Sequence, residues 1–179
     1  MSFSVKRLTA DAMLLCAALL FSYLESLIPL SLWIPVPGFK LGLPNLVIMF
    51  AALYFSFADA MIISLCRICL TALLFGNTSS LFFSLIGGIL SLVALELLLK
   101  PKDCHLTCIG LSVSCAAFHN IGQLLAASVL FSTGTALMYA PWLILLALVS
   151  GTINGILLRL LLVRLSAASS SCENTVDKR

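Results

Sequence analysis

Along the chain, apolar residues fall into six long runs, covering 8–32, 41–57, 60–75, 81–99, 106–131 and 136–165. Four of the breaks are brief: "SFADA", "GNTSS", "KPKDCH" and "STGT". The first connection, "WIPVPGFK" (33–40), is more elaborate, and Pro35, Pro37 and Gly38 forbid a helix there. A bilayer core of roughly 30 Å needs about 20 helical residues per crossing. Backbone groups in lipid must be satisfied within their own element, so apolar runs of this length predict helices. The pattern predicts an all-α integral membrane protein, a single six-helix transmembrane bundle over 1–165. A polar tail over 166–179 is expected to be disordered. The second and third runs are short for a crossing; the others are long enough to tilt.

Composition removes the soluble alternative. Of 179 residues, 61% are hydrophobic and only 9% charged, against about 25% charged in soluble domains; mean hydropathy is +1.17. The seven cysteines are odd in number and several lie in apolar runs, so they read as buried free thiols without a disulfide framework. "CHLTC" (104–108) lacks the second ligand pair of a zinc site, and no metal or other cofactor is implied. Nothing in the charge pattern points to nucleic acid. The basic start "MSFSVKR" precedes an apolar run that continues past Leu20 without a small-residue cleavage pattern, and reads as an uncleaved first crossing.

Charge also orients the chain. Six crossings put Lys6, Arg7, Lys100, Lys102, Arg159, Arg164, Lys178 and Arg179 on one side and only Lys40 on the other. The positive-inside rule then makes both termini cytoplasmic.

Lipid tails are as apolar as leucine, so membrane helices associate through close packing at small residues. The fourth run offers Ser84, Gly87, Ser91 and Ala94 at helical spacing, and the sixth offers Ala147, Gly151 and Gly155. Packing within the bundle accounts for such faces. A partner helix is the alternative, best supported for the first run with Ala12, Cys16, Ala18 and Ser22.

Several polar residues remain inside the apolar runs, where they are costly. In the N-in orientation, Glu25 falls in the outer third of the first run, and Asn45 lies near the outer surface below Lys40. Arg67 falls near the middle of the third run, His119 near the middle of the fifth, and Gln123 one turn further out. Arginine at a helix centre costs about 2.5–3.5 kcal/mol on insertion scales, so it should face the bundle interior or a wet cavity. Ser64, Arg67 and Thr71 share one helical stripe, as do Ser112, Ala116, His119 and Gln123. A shared binding chamber would use Glu25, Lys40, Asn45, Arg67, His119, Asn120 and Gln123. Each also has a plainer use. Arg67 and Glu25 can lock helices as an ion pair, His119 can make an interhelical hydrogen bond, and Asn45, after Pro44, can cap a helix. Asp59 reads as a helix-start charge, and Asn154 as a tie between helices.

The stretches "YLESLIPL" and "PVPGFKLGLPNLV" (23–47), "SLCRICLTALLFGNTSS" (64–80), "FSLIGGILSL" (83–92) and "AAFHNIGQLLAA" (116–127) resemble the Gx transporter family. The likeness covers about 8–165, and "PGFKLGLPN" and "HNIGQ" are its most specific parts. Pro44 stands where that family more often has Ala. The family consists of six-helix bacterial inner-membrane proteins similar to the substrate-binding S components of energy-coupling factor (ECF) importers. It also carries the label heptaprenyl diphosphate synthase component I.

The resemblance implies a membrane substrate-capture subunit in the bacterial cytoplasmic membrane. It would bind a small anionic or vitamin-like molecule, with "WIPVPGFK" as a lid. Import would be driven by a membrane coupling subunit and cytoplasmic ATPases. The sequence has no G-x-x-x-x-G-K-[ST] loop of its own. The second label implies an accessory membrane subunit of an isoprenoid synthase. Catalysis of prenyl transfer needs clustered carboxylates for Mg²⁺, and Asp11, Asp59, Asp103 and Asp177 are isolated. No catalytic residue is assigned.

Overall fold

In a computed structural model, the described residues are 5–27, 41–74, 78–100, 107–130 and 133–176. They form six helices and no strand: α1 (Val5–Leu27), α2 (Leu43–Tyr54), α3 (Phe57–Leu74), α4 (Thr78–Leu99), α5 (Cys108–Leu130) and α6 (Thr133–Val176). Helix α6 continues through 166–176, where the sequence predicts a disordered tail. A helix already nucleated upstream extends at little cost per residue, which favours that continuation.

Five helices are long and apolar enough to cross a membrane. Helix α2 is not. Its 12 residues rise only about 18 Å at 1.5 Å per residue, so the expected crossing over 41–57 is shortened at both ends. At the start, Gly42 takes a left-handed φ of +81° and Pro44 occupies the first turn, where its missing N–H is harmless. At the end, Ser56 caps the next helix: its Oγ accepts the Asp59 N–H at 3.3 Å, and its carbonyl accepts the Ala60 N–H at 3.1 Å. The chain must therefore turn between Tyr54 and Phe57.

Although short, α2 sits at the centre of the bundle. Leu46, Val47, Ile48, Met49, Phe50 and Ala51 are buried in unbroken succession. A helix that is apolar all round and covered all round belongs inside a protein. Around it, Ala60 and Ile63 of α3, Leu92 and Leu95 of α4, Leu111 and Cys115 of α5 and Leu158 of α6 complete one core cluster. Large apolar side chains such as Leu73 and Val129, both 82% exposed, cover the outside. Contiguous outward apolar surface of this kind suits contact with lipid.

Packing divides the bundle into two sets. Helix α5 runs along both α4 and α6, while α1, α2 and α3 pack on one another; α3–α4 and α2–α6 contacts join the sets. Glycine creates the α4–α5–α6 contacts. A Cβ on Gly122 would lie 2.7 Å from Gly87 Cα, one on Gly151 2.7 Å from Val113 Cα, and one on Gly155 2.6 Å from Ile109 Cα. No side chain fits at such distances, so the backbones themselves touch, as in small-xxx-small membrane packing.

Helix α1 departs from the expected partner-facing surface. Ala18 and Ser22 are buried against this chain's own helices, together with Glu25, while Ala12 and Cys16 face outward. The four were grouped as one face, but at 100° per residue the two pairs lie on different sides of the helix. Ala18 and Ser22 are thus unavailable to a partner helix.

At the N-terminal end of α1, Arg7 reaches the α2–α3 turn. Its Nε donates to Asp59 Oδ2 at 3.0 Å and its Nη2 to Ser56 Oγ at 3.0 Å. Ser56 Oγ also donates to Asp59 Oδ2 at 2.9 Å. Asp59 therefore serves as more than a helix-start charge: it anchors α1 to α3.

Candidate functional site

The chain enters α2 through irregular backbone at Leu41 and Gly42, inside the bundle. Non-helical backbone at membrane depth persists only where protein or a wet cavity satisfies its polar groups. Here three helices do so. Glu25 Oε1 of α1 accepts the Leu43 N–H at 2.7 Å. Asn154 Nδ2 of α6 donates to Leu41 O at 3.1 Å and Gly42 O at 3.3 Å. Helix α2 closes its own first turn through Asn45 N–H to Gly42 O, 2.9 Å. Asn45 is thus three residues into the helix and does not cap it; Gly42 holds the cap position without a side-chain bond.

Beside this start lies a polar cavity of about 40 Å³ to which all six helices contribute, room for a few waters. Of the seven residues expected in a shared chamber, Glu25, Asn45, Arg67, His119, Asn120 and Gln123 line it. Lys40 and the "WIPVPGFK" connection lie outside the described residues. Ser84, Ser91, Ser112, Ser150 and Asn154 line it as well. The serines of α4 read in sequence only as small packing residues and Ser150 carries no signal of its own beside the glycine face of α6, while Asn154 reads as a tie between helices and is one. Their spacing to Gly151 and Gly155 is the one signal that could have placed them toward α5.

Arg67 is 8% exposed. Its Nη2 donates to Asn45 Oδ1 at 3.5 Å, and its Nε has no hydrogen-bond partner. Glu25 lines the same cavity. An arginine buried this deeply is retained where it meets a counter-charge, backbone carbonyls or a wet cavity. His119 Nε2 is 3.3 Å from Gln123 Nε2, one turn further along α5. Gly87 of α4 permits the approach: a Cβ there would lie 2.9 Å from His119 O and 3.0 Å from its Cε1. Asn120 is committed differently. Its Nδ2 donates to Leu143 O at 2.7 Å, tying α5 to α6 and leaving its second N–H and its oxygen for other partners.

On the far side of Asn120 lies a second cavity, about 180 Å³, between α5 and α6. Apart from Asn120 it is lined by apolar residues such as Ala117, Leu124, Ile144 and Leu148. Asn120 thus borders both the polar chamber and the apolar groove.

These features define a helical membrane-protein class: an apolar bundle around a small, charged, multi-helix chamber. The model of the family described as heptaprenyl diphosphate synthase component I matches residues 14–161, and the chain belongs to that family, also known as the Gx transporter family. Comparison with curated proteins and with solved structures gives no match.

Proposed function

We propose that this protein is a membrane-embedded substrate-binding subunit, similar to the S components of ECF importers, that captures a small anionic molecule. The observation that carries this reading is the convergence of Glu25, Asn45, Arg67, His119 and Gln123, from four different helices, on one cavity. Arg67 supplies the charge, Asn45 and Gln123 supply directional hydrogen bonds, and the start of α2 adds a helix N-terminus, a natural anion position. Both termini face the cytoplasm in this reading, following the Lys and Arg distribution. A membrane coupling subunit and cytoplasmic ATPases supply the energy. A cavity of about 40 Å³ is too small for a vitamin-sized molecule, so capture of one requires the α2 entry segment at Leu41 and Gly42 to move aside.

Purification in mild detergent, with mass spectrometry of co-eluting small molecules and proteins, tests this reading. The expected result is a small carboxylate or phosphate compound and an ATPase pair. For a ligand so identified, Arg67→Ala weakens binding at least tenfold. Unchanged affinity in a folded Arg67→Ala protein removes Arg67 from the site.

The family description supports a second reading, an accessory membrane subunit of heptaprenyl diphosphate synthase. Co-elution of a soluble prenyltransferase in place of ATPases would select it. In that reading prenyl-transfer catalysis belongs to the partner, in keeping with the isolated aspartates of this sequence.

A further inference from the structure

The start of α2 is where a bound anion would be best stabilised, and it already holds one. The first N–H groups of a helix have no intrahelical partner, and the helix dipole adds positive potential there. Pro44 removes one donor, the Asn45 N–H returns to Gly42 O, and the Leu43 N–H is taken by Glu25 Oε1 at 2.7 Å. Glu25 comes from another helix, α1, and is 5% exposed. It shares the cavity with Arg67, whose buried Nε is without a hydrogen-bond partner. Asn154 covers the two carbonyls on the other side of the entry. One carboxylate of the protein thus stands where a helix N-terminus and a buried guanidinium would receive a ligand's.

We propose that Glu25 is a built-in occupant of the anion position, and that an incoming carboxylate or oxyanion binds by replacing it at the Leu43 N–H and beside Arg67. This inference rests on the reading that the chamber takes an anion. Two anions within a cavity of about 40 Å³ repel strongly in a low-dielectric interior, so one displaces the other. Displacement has a structural consequence. Glu25 ties the C-terminal part of α1 to α2; once it leaves, the buried Ala18 and Ser22 and the Arg7–Asp59 pair at the opposite end still hold the helix. Ligand capture is thereby converted into loosening of the last turns of α1.

Sulfate is a suitable probe, because it is compact and its charge is constant near neutral pH. Sulfate affinity is measured by titration calorimetry on the full chain in lipid nanodiscs. Glu25→Gln keeps the shape and removes the competing charge, so it is expected to bind sulfate at least tenfold more tightly than the native chain, while its Tm without sulfate falls. A purely structural cap predicts the same fall in Tm with equal or weaker sulfate binding, and that result overturns the proposal. Arg67→Gln separates the two levels of inference: sulfate binding that survives in the folded variant sinks the anion chamber itself. Loss of binding there, with no gain in Glu25→Gln, sinks only the displacement. Hydrogen exchange on the native chain is independent of whether Glu25→Gln folds. Saturating sulfate is expected to speed exchange over residues 23–27 and slow it over 43–46. Unchanged or slowed exchange over 23–27 overturns the proposal.

Discussion

The two halves of the bundle are held together by different physics. In α4, α5 and α6, backbones meet at Gly122, Gly151 and Gly155, at distances no side chain tolerates. In α1, α2 and α3, side chains hold the elements: Arg7 to Asp59 and Ser56 at one end of α1, Glu25 to Leu43 near the other. Backbone-to-backbone packing has little room to yield, because any displacement separates many close atoms at once. A few hydrogen bonds to side chains can be exchanged one at a time, for water or for a ligand. The chamber lies between the halves, with His119 and Gln123 on the close-packed side and Glu25, Asn45 and Arg67 on the other. One half supplies a fixed wall and the other an adjustable one.

That contrast can be broken experimentally, and the largest effect belongs to the glycine half. Gly122→Leu puts a side chain into the Gly87 backbone and is expected to prevent folding, or to lower stability by about 3 kcal/mol or more. Its folded yield in detergent and Tm measure this; a near-native Tm would show that the close-packed half yields after all. Gly42→Ala comes next. Its left-handed φ of +81° costs a residue with a Cβ about 1–2 kcal/mol, while the Cβ itself would meet the Asn154 and Asn45 amides in ordinary contact at 3.4 and 3.5 Å. Its Tm should fall between those of Gly122→Leu and Asn154→Leu.

Asn154→Leu removes the donor to Leu41 O and Gly42 O, and interhelical hydrogen bonds in membranes are worth about 0.6 kcal/mol, at most about 1.7. A small loss of Tm is expected, with protease sensitivity rising near residue 41 and not within α5. Arg7→Ala is the mildest. Arg7 is half-exposed, and solvent screening leaves such pairs little net contribution. Added salt should narrow the Tm difference from the native chain; a loss as large as that of Gly122→Leu would erase the distinction between the halves.

Much of the chamber was legible before any coordinates. Glu25, Asn45, Arg67, His119, Asn120 and Gln123 stand out because ionisable and amide groups are rare in long apolar runs, and a charge placed there has few tolerable surroundings. What the residues do locally was less legible. Asn45 reads in sequence as a cap, but Gly42 holds that position, and Asn120 commits one amide N–H to Leu143 O. Ser84 and Ser91 carried no sequence signal beyond small size. Ala12 and Cys16 were grouped with Ala18 and Ser22, although helical rotation separates the two pairs.

Sequence alone determined the membrane class, the helical content and the set of polar residues in the apolar runs, because lipid leaves the backbone one economical conformation and makes every polar intrusion conspicuous. Tertiary structure alone decided that α2 is a short helix buried over residues 46–51 and that its first N–H is held by Glu25. Both depend on which helices surround residues 41–54, and periodicity along one chain carries no information about its neighbours.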